Sequence, residues 1–533
     1  MKTKYLLFAP AMAVLSLVSC QEDNSFTPDY TLTIGTDTVV NVTIDASTTY
    51  QTIQGFASSD AWNMDYVGKY WSNEAKEGIA KLLFSQNINS GQPDGIGLSM
   101  WRVNLGGGTA EQGNDSGIND KPERRAECFL SENGSYNWSK ASGQQYFMGK
   151  AKEYGVQDFV LFSNTPPVYY TKNGKGFSNS GAYANLKSDC YDDFADFLAS
   201  CAQHFNALGY NISYISPVNE PQYNWNGGQE GSGWQNSEVA KLTKELDAKL
   251  TSKSLPNTKI LLGEAGDWSY LYDTSNSAGA GRSNVIKSLF DSSSENYVGN
   301  LSHVPALVCA HSYWLDTSMQ QMQTTRRKAA EAAAAQGLSL WQTEWSMMSE
   351  QYEGINYSSA NYIDLALTMS TVMHNDLTEA NVTSWSYWTT CERERWDQKS
   401  RFYLIRLVPT GGDYGDLDAG GTYQASKNLW VLGNYSLFVR PGYKRIAVNV
   451  SQTGNQLLAS AYLSPQSDKL VVVYTNLSKK TIKIEPTINV SGRKVVNVHE
   501  YVTSSARDLK LVGSEETSVL RPRSVSTLIY DLE

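Results

Sequence analysis

Ile212-Ser213-Tyr214-Ile215-Ser216-Pro217-Val218-Asn219-Glu220-Pro221 is an apolar, strand-like run that delivers a carboxylate at its end. A second such run, Leu338–Thr343, closes in Leu340-Trp341-Gln342-Thr343-Glu344-Trp345. Working outward, similar runs recur at Thr52–Ala57, Gly97–Val103, Asp158–Phe162, Lys259–Gly263, Leu307–Tyr313 and Val382–Trp388. Helical or long connecting segments separate them. Asp189–Leu208 has Phe194, Phe197, Leu198, Cys201 and Phe205 at helical spacing and stops near Gly209. Ser237–Leu250, the alanine-rich Arg326–Gln336 before Gly337, and Tyr362–Met373 read the same way. Strands alternating with helices predict an α/β fold, a (β/α)8 TIM barrel. An open doubly wound sheet is the alternative, but no glycine-rich phosphate fingerprint follows the first strand.

The flanks read differently. Lys2 and Lys4 precede an apolar run from Tyr5 to Val18, too short for a comfortable spanning helix. Leu17-Val18-Ser19-Cys20 resembles a bacterial lipobox, in which the Cys20 thiol is lipidated and becomes the first residue of the mature chain. A plain signal peptide is the alternative. Residues 1–20 are therefore expected to be a lipoprotein signal and residues 21–37 a polar tether. Residues 38–50 hold an alternating strand, Val39–Ile44, without a partner in the barrel. From about Asn434, alternating runs separated by Gly, Ser, Asn and Pro predict an antiparallel β-sandwich side domain. The expected division is a barrel over 51–430 and a side domain over 431–533, with Val39–Ile44 joining the side domain's sheet.

Composition narrows the partners. The chain has 533 residues and a net charge of −10. That balance opposes nucleic acid and anionic membrane surfaces, and leaves a neutral polysaccharide open. Membrane contact is expected only through the lipid anchor at the outer membrane, and the chain is expected to be a monomer. Five cysteines remain after Cys20, an odd number with no paired spacing, so no disulfide framework is inferred. Five histidines, no His-Glu-x-x-His and no Gly-Lys-Ser/Thr loop argue against zinc or phosphate chemistry, and no metal or cofactor is expected. Cys201 and His204 lie three apart on a predicted helix, a pair that reads as packing rather than as metal ligands. There is no Gly-x-Ser-x-Gly elbow.

In a barrel, catalytic groups sit at the C-terminal ends of the strands. Glu220 ends the fourth run and Glu344 the seventh, on opposite sides of a ring of eight. Two carboxyls facing each other across an axis are what glycosidic cleavage needs: a protonated acid beside the leaving oxygen, and an ionised base or nucleophile on the other face of the sugar. The 14 tryptophans and 32 tyrosines suit a sugar, although most of them must pack the core.

These motifs resemble family 30 glycoside hydrolases, a retaining family with its acid/base on strand four and its nucleophile on strand seven. Gly55-Phe56-Ala57-Ser58-Ser59-Asp60, Trp101-Arg102-Val103-Asn104 and Ser163-Asn164-Thr165-Pro166-Pro167 resemble the first three strand motifs. Leu432–Ser436 and Arg440–Tyr443 resemble the stretch that joins barrel to side domain. Trp-Gln-Thr-Glu-Trp around Glu344 is similar to the endo-β-1,6-galactanase branch. The resemblance implies Glu344 as nucleophile and Glu220 as acid/base. It implies Asn219 on the sugar 2-hydroxyl, Tyr313 donating to Glu344, and Arg102 keeping Glu344 ionised. Asp60 would bind ring hydroxyls, and Trp388, with Trp62 nearby, would floor the subsite. Asn164 stands where the glucosylceramidase branch has tryptophan, which favours a sugar differing at a ring hydroxyl.

Simpler roles compete. Arg102 is equally a structural ion pair, Asp60 a helix cap, and Trp62, Trp314 and Trp385 packing residues. Glu392-Arg393-Glu394-Arg395 reads as a solvated loop. The expected function is endo-cleavage of β-1,6-galactan. A β-1,6-glucanase or xylan-cleaving relative is the alternative within enzymes, and a non-catalytic glycan-binding lipoprotein the alternative outside them.

Overall fold

A computed structural model describes residues 33–119, 121–179, 181–451 and 454–533. The signal segment, Cys20 and most of the tether lie outside the described residues. No helix among the described residues is long and apolar enough to cross a membrane.

Eight short parallel strands form the barrel: β1 (Gly55–Ser58), β2 (Met100–Leu105), β3 (Asp158–Ser163), β4 (Ile212–Ser216), β5 (Lys259–Ile260), β6 (Leu307–Ala310), β7 (Ser339–Gln342) and β8 (Ser384–Tyr387). They pair as two four-stranded sheets, β2-β3-β4-β5 and β1-β8-β7-β6. Parallel bridges at Ser59–Arg102 and Ala265–Ala310 join the sheets and close the ring. Each bridge joins a residue past the end of one strand, Ser59 or Ala265, to a residue within the neighbouring strand.

Alternation along the strands sorts side chains inward or outward. Ala57, Met100, Val160, Leu261, Leu307, Cys309 and Trp341 pack together inside the barrel, with Tyr214 against them. Their neighbours Phe56, Trp101, Phe159, Leu161, Ile215, Ile260, Leu262, Val308 and Leu340 pack outward into the main core. The helices expected from sequence are Tyr191–Ala207, Asn236–Ser252, Met319–Ala335 and Tyr362–Thr378. The third starts seven residues before the expected Arg326. Ser318 caps it by accepting from the Gln321 N–H, so a polar cap hidden in a polar stretch sets the true start.

The side domain is one curled nine-stranded sheet. The N-terminal strand Thr33–Thr52 lies inside it, antiparallel to Lys444–Val450 and parallel to Lys480–Asn489. Val39–Ile44 thus pairs with the C-terminal sheet, as its alternation predicts. The strand is longer than expected at both ends, and residues 33–37 of the expected tether belong to it. Leu470, Val472 and Tyr474 point into the side domain's own core, while Val471 and Val473 join the core shared with the barrel. The buried helix Lys427–Ser436 crosses the expected 430/431 boundary. Its Asn434 donates to Thr527 Oγ1 at 2.9 Å and accepts from Thr503 at 2.6 Å, so the join between the two units is a packed helix.

Candidate active site

Period-two geometry carries several polar residues to one end of the barrel interior. On β2, Met100 points inward, so Arg102 and Asn104 do too. On β3 the series is Val160, Phe162, Asn164. Along β6 and past its end it is Leu307, Cys309, His311, Tyr313. On β8, with Trp385 outward, Trp388 continues the inward row.

Glu220 and Glu344 meet here. A carboxylate oxygen of each, together with a ring nitrogen of His311, lie within 4.8 Å of one another. Glu344 is 3 % exposed and Glu220 13 % exposed. Glu344 Oε1 accepts from Arg102 Nη1 at 2.5 Å, and its Oε2 accepts from the Tyr313 hydroxyl at 3.1 Å. Burial pushes the Glu344 carboxyl up, and His311 and Arg102 oppose that push. Arg102 also reaches Asn219 Oδ1 at 3.4 Å and Glu264 at 3.4 Å, with its guanidinium over the Phe162 ring at 3.7 Å. Asn219 donates to Asn164 Oδ1 at 3.0 Å, and Asn164 donates to Asn104 Oδ1 at 3.3 Å. An amide relay therefore fixes the Asn219 side chain, next in sequence to Glu220.

His311 and Glu264 are absent from the sequence expectation. His311 Nδ1 lies 2.9 Å from Glu220 Oε1 and 3.6 Å from Glu344 Oε2, and its Nε2 lies 3.0 Å from Glu264 Oε2. With carboxylates on both nitrogens, the ring is a doubly donating imidazolium. Burial works against that charge, but Glu344, Glu220 and Glu264 outweigh it and raise the imidazole to about 10. Glu264 is also fully buried, which opposes its charge. Arg102, His311 and Thr343 overcome this and hold it at about 2. Three carboxyls thus face two cations. Glu220, His311 and Glu344 have ligand-capable atoms grouped closely enough for a metal. Both His311 nitrogens, however, already face carboxylates, at 2.9 and 3.0 Å.

The signal for His311 was its position two residues before Tyr313 on one strand face. Glu264 lay one residue past the expected end of strand five. Gly263 bends the backbone there with φ +114°, and Glu264 follows with φ +41°, breaking the alternation. Glu220 also sits in the left-handed region, at φ +41°, and its N–H donates to the Glu264 carbonyl at 2.9 Å. Such strain at paired strand ends is typical of sites whose surroundings over-determine them.

Two expected contacts are corrected. Asp60 is sealed from solvent. Its Oδ1 accepts from the Asn104 N–H at 2.9 Å and its Oδ2 from Gln144 Nε2 at 2.9 Å. Ala57 and Ser59 occupy the inward parity of β1, so Asp60 turns outward to the helix Ser142–Glu153. Burial raises its carboxyl to about 7, against those two bonds. It is a positioning residue for Asn104, not a sugar ligand. Trp62 is buried, with its ring edge against Trp388 at 5.2 Å and the Arg124 guanidinium 4.4 Å over it. It supports Trp388 and presents no open face. Trp388 is half-buried and closes on Phe162 at 6.1 Å. Trp385 packs in the main core. After β8 the short strand Cys391–Arg393 holds Arg393 buried against Glu123, so that charge run is not a solvated loop.

The chain is similar to several known proteins. A family profile described as "O-Glycosyl hydrolase family 30" matches residues 39–399. An endo-β-1,6-galactanase of Hypocrea rufa is 26% identical over 467 residues, 84% of this chain and 83% of that protein. The crystal structure of a conserved exported protein from Bacteroides fragilis superposes with TM-score 0.83 at 32% identity, over 92% of this chain and 99% of the other. The catalytic domain of a family 30 xylanase C from Talaromyces cellulolyticus has TM-score 0.63 at 19% identity, over 92% and 99%, and shares the fold.

Proposed function

The chain belongs to O-glycosyl hydrolase family 30, and from that premise we propose that it is a retaining endo-hydrolase of β-1,6-linked galactan, as found in arabinogalactan side chains. The observation that carries the mechanism is the approach of Glu220 and Glu344 oxygens to within 4.8 Å. Retaining enzymes hold the two carboxyls about 5–5.5 Å apart, whereas inverting enzymes leave about 6.5–9.5 Å for a water.

Glu344 attacks the anomeric carbon and forms a glycosyl ester while the glycosidic oxygen takes the Glu220 proton and leaves. Glu220 then removes a proton from water, which attacks the same carbon and releases Glu344. Arg102 and Tyr313 aim the nucleophile and favour its ionised form. Asn219, held by Asn164, donates to the sugar 2-hydroxyl, a contact that strengthens as charge develops.

The substrate reading rests on the residues around Glu344 and on the galactanase relative. Asn164 contributes by holding Asn219, since its own amide is engaged on both sides. Xylan is the second reading, favoured by the shared fold of the xylanase. Incubation with debranched β-1,6-galactan, β-1,6-glucan and glucuronoxylan tests these, with the anomer of the first product read by proton NMR. Rapid release of β-configured galactan oligosaccharides is expected. Faster turnover of glucan or xylan overturns the substrate, and an α-configured first product overturns the mechanism.

We propose further that Cys20 anchors the mature chain to the outer membrane. Fractionation of cells carrying wild type and Cys20→Ala should move the enzyme from the membrane to the soluble fraction. Equal solubility overturns the anchor.

A further inference from the structure

Trp314 is 45% exposed, an unusual setting for so large an apolar ring, and it directly follows Tyr313, whose hydroxyl holds the nucleophile. Single exposed aromatics are common and by themselves mean little. This one is set apart by its backbone and by its neighbours. Its φ is +59°, a conformation that a bulky residue adopts at a cost. The Leu315 N–H closes the turn onto the Tyr313 carbonyl at 2.7 Å.

The neighbour is Gly266, in the loop after β5. A side-chain carbon built on Gly266 would lie 3.7 Å from Glu220 Oε1, 3.8 Å from its Cδ and 3.8 Å from Trp314 Cζ3. The carboxyl of the acid/base and the edge of the indole therefore bracket one spot, and glycine leaves that spot open. Any side chain there would begin to fill the space beside the proton donor. Glu220 lies on the leaving-group side of the reaction, because it is the group that protonates the departing oxygen.

We propose that Trp314 and the bare backbone of Gly266 form the subsite for the leaving sugar. The indole takes the apolar face of the departing hexose while Glu220 protonates the oxygen that joins it to the anomeric carbon. This assignment rests on the function proposed above and deepens it, since a built site on the leaving side is what cleavage inside a chain requires. The strain at Trp314 aims the ring, and the neighbouring Tyr313 ties that aim to the nucleophile.

The test compares two substrates that share the glycosyl part and differ in what leaves. A β-1,6-galactobiosyl fluoride expels fluoride, which occupies no sugar subsite; β-1,6-galactotetraose expels a sugar. For Trp314→Ala, the ratio of kcat/KM on tetraose to kcat/KM on fluoride should fall about tenfold, the scale of one lost aromatic stacking contact. Trp314→Phe, which keeps a ring, should recover most of the ratio. A fall on both substrates together, or no fall, overturns the proposal, because a merely structural role leaves the ratio unchanged. Parallel β-1,6-glucan substrates separate the two readings. Wild-type turnover of the glucan series alone overturns the galactan substrate, and the ratio measured on that series then decides Trp314. Turnover of neither series by wild type overturns both.

Discussion

At the scale of single residues, the site is a charge cluster in which each member's role follows from its contacts. Glu220→Gln keeps the shape of the acid but cannot give up a proton. Glycoside hydrolysis should fall by about 10²–10⁴ while substrate binding persists, as measured by steady-state kinetics and calorimetry. Glu344→Gln should be more damaging, because no ester can form. Arg102 contacts Glu344 and Glu264 in a buried setting, and removing one partner leaves carboxylates uncompensated. Arg102→Ala should cost about 3–5 kcal/mol in denaturant unfolding as well as activity. His311 gives a pH signature. Its folded value near 10 lies above the ordinary 6.5, so its stabilisation is complete below 6.5 and is lost as pH rises through about 10. Wild-type Tm should therefore decline more steeply across that window than the Tm of His311→Asn. Parallel slopes would show that His311 is not the group responsible. The two glutamates, Arg102, Asn219 and Tyr313 were legible in the sequence because strand ends and family motifs mark them. Glu264 was not, because a glycine bend beside it breaks the alternation that sequence reading relies on.

At the scale of elements, the barrel's accuracy depends on how closely the outer helices approach it. Asn63–Tyr70 and Ser142–Glu153 meet through glycines. A side-chain carbon on Gly143 would stand 1.9 Å from the Asp65 carbonyl oxygen, and one on Gly68 would stand 2.3 Å from the Gly143 Cα. The next residue, Gln144, donates to Asp60, whose other oxygen accepts from the Asn104 N–H. Helix spacing is thereby passed to the amide relay beneath Asn219. Gly143→Ala should destabilise by at least about 1–3 kcal/mol and lower kcat/KM with it. Gly149→Ala, in the same helix, meets only the Tyr210 hydroxyl at 3.7 Å and should stabilise by about 0.5–1 kcal/mol. Thermal unfolding of the pair checks both signs, and equal effects would show that the close approach is not what matters. The strand–helix alternation was readable from hydrophobic periodicity. The parity of Asp60 was not, since one residue beyond a short strand decides between cleft and helix interface.

At the scale of the molecule, the first described strand belongs to the same sheet as the last. The N-terminal strand lies between Lys444–Val450 and Lys480–Asn489, with Ile44 opposite Val448 on one side and Ile488 on the other. Val40, Val42 and Ile44 are buried in the side domain's core. Its alternation without a barrel partner made this placement legible, whereas its true length was hidden because residues 33–37 carry no strong pattern. Removing residues 33–50 would strip three apolar side chains worth about 1.5–3 kcal/mol each and expose two unpaired strand edges. The other face of the same sheet carries Val471 and Val473 into the core shared with the barrel, and the buried helix Lys427–Ser436 locks to Thr503 and Thr527. Loss of the strand should therefore spread inward rather than stay in the side domain. A variant starting at Gln51 should lose most of its soluble yield, and any soluble protein should unfold at a clearly lower Tm with weakened glycoside hydrolysis. Supplying a peptide of residues 33–50 should restore part of both, because the gap it fills is formed by strands that remain. If the truncated enzyme keeps its wild-type Tm and rate, the side domain is an appendage and the barrel carries its own stability.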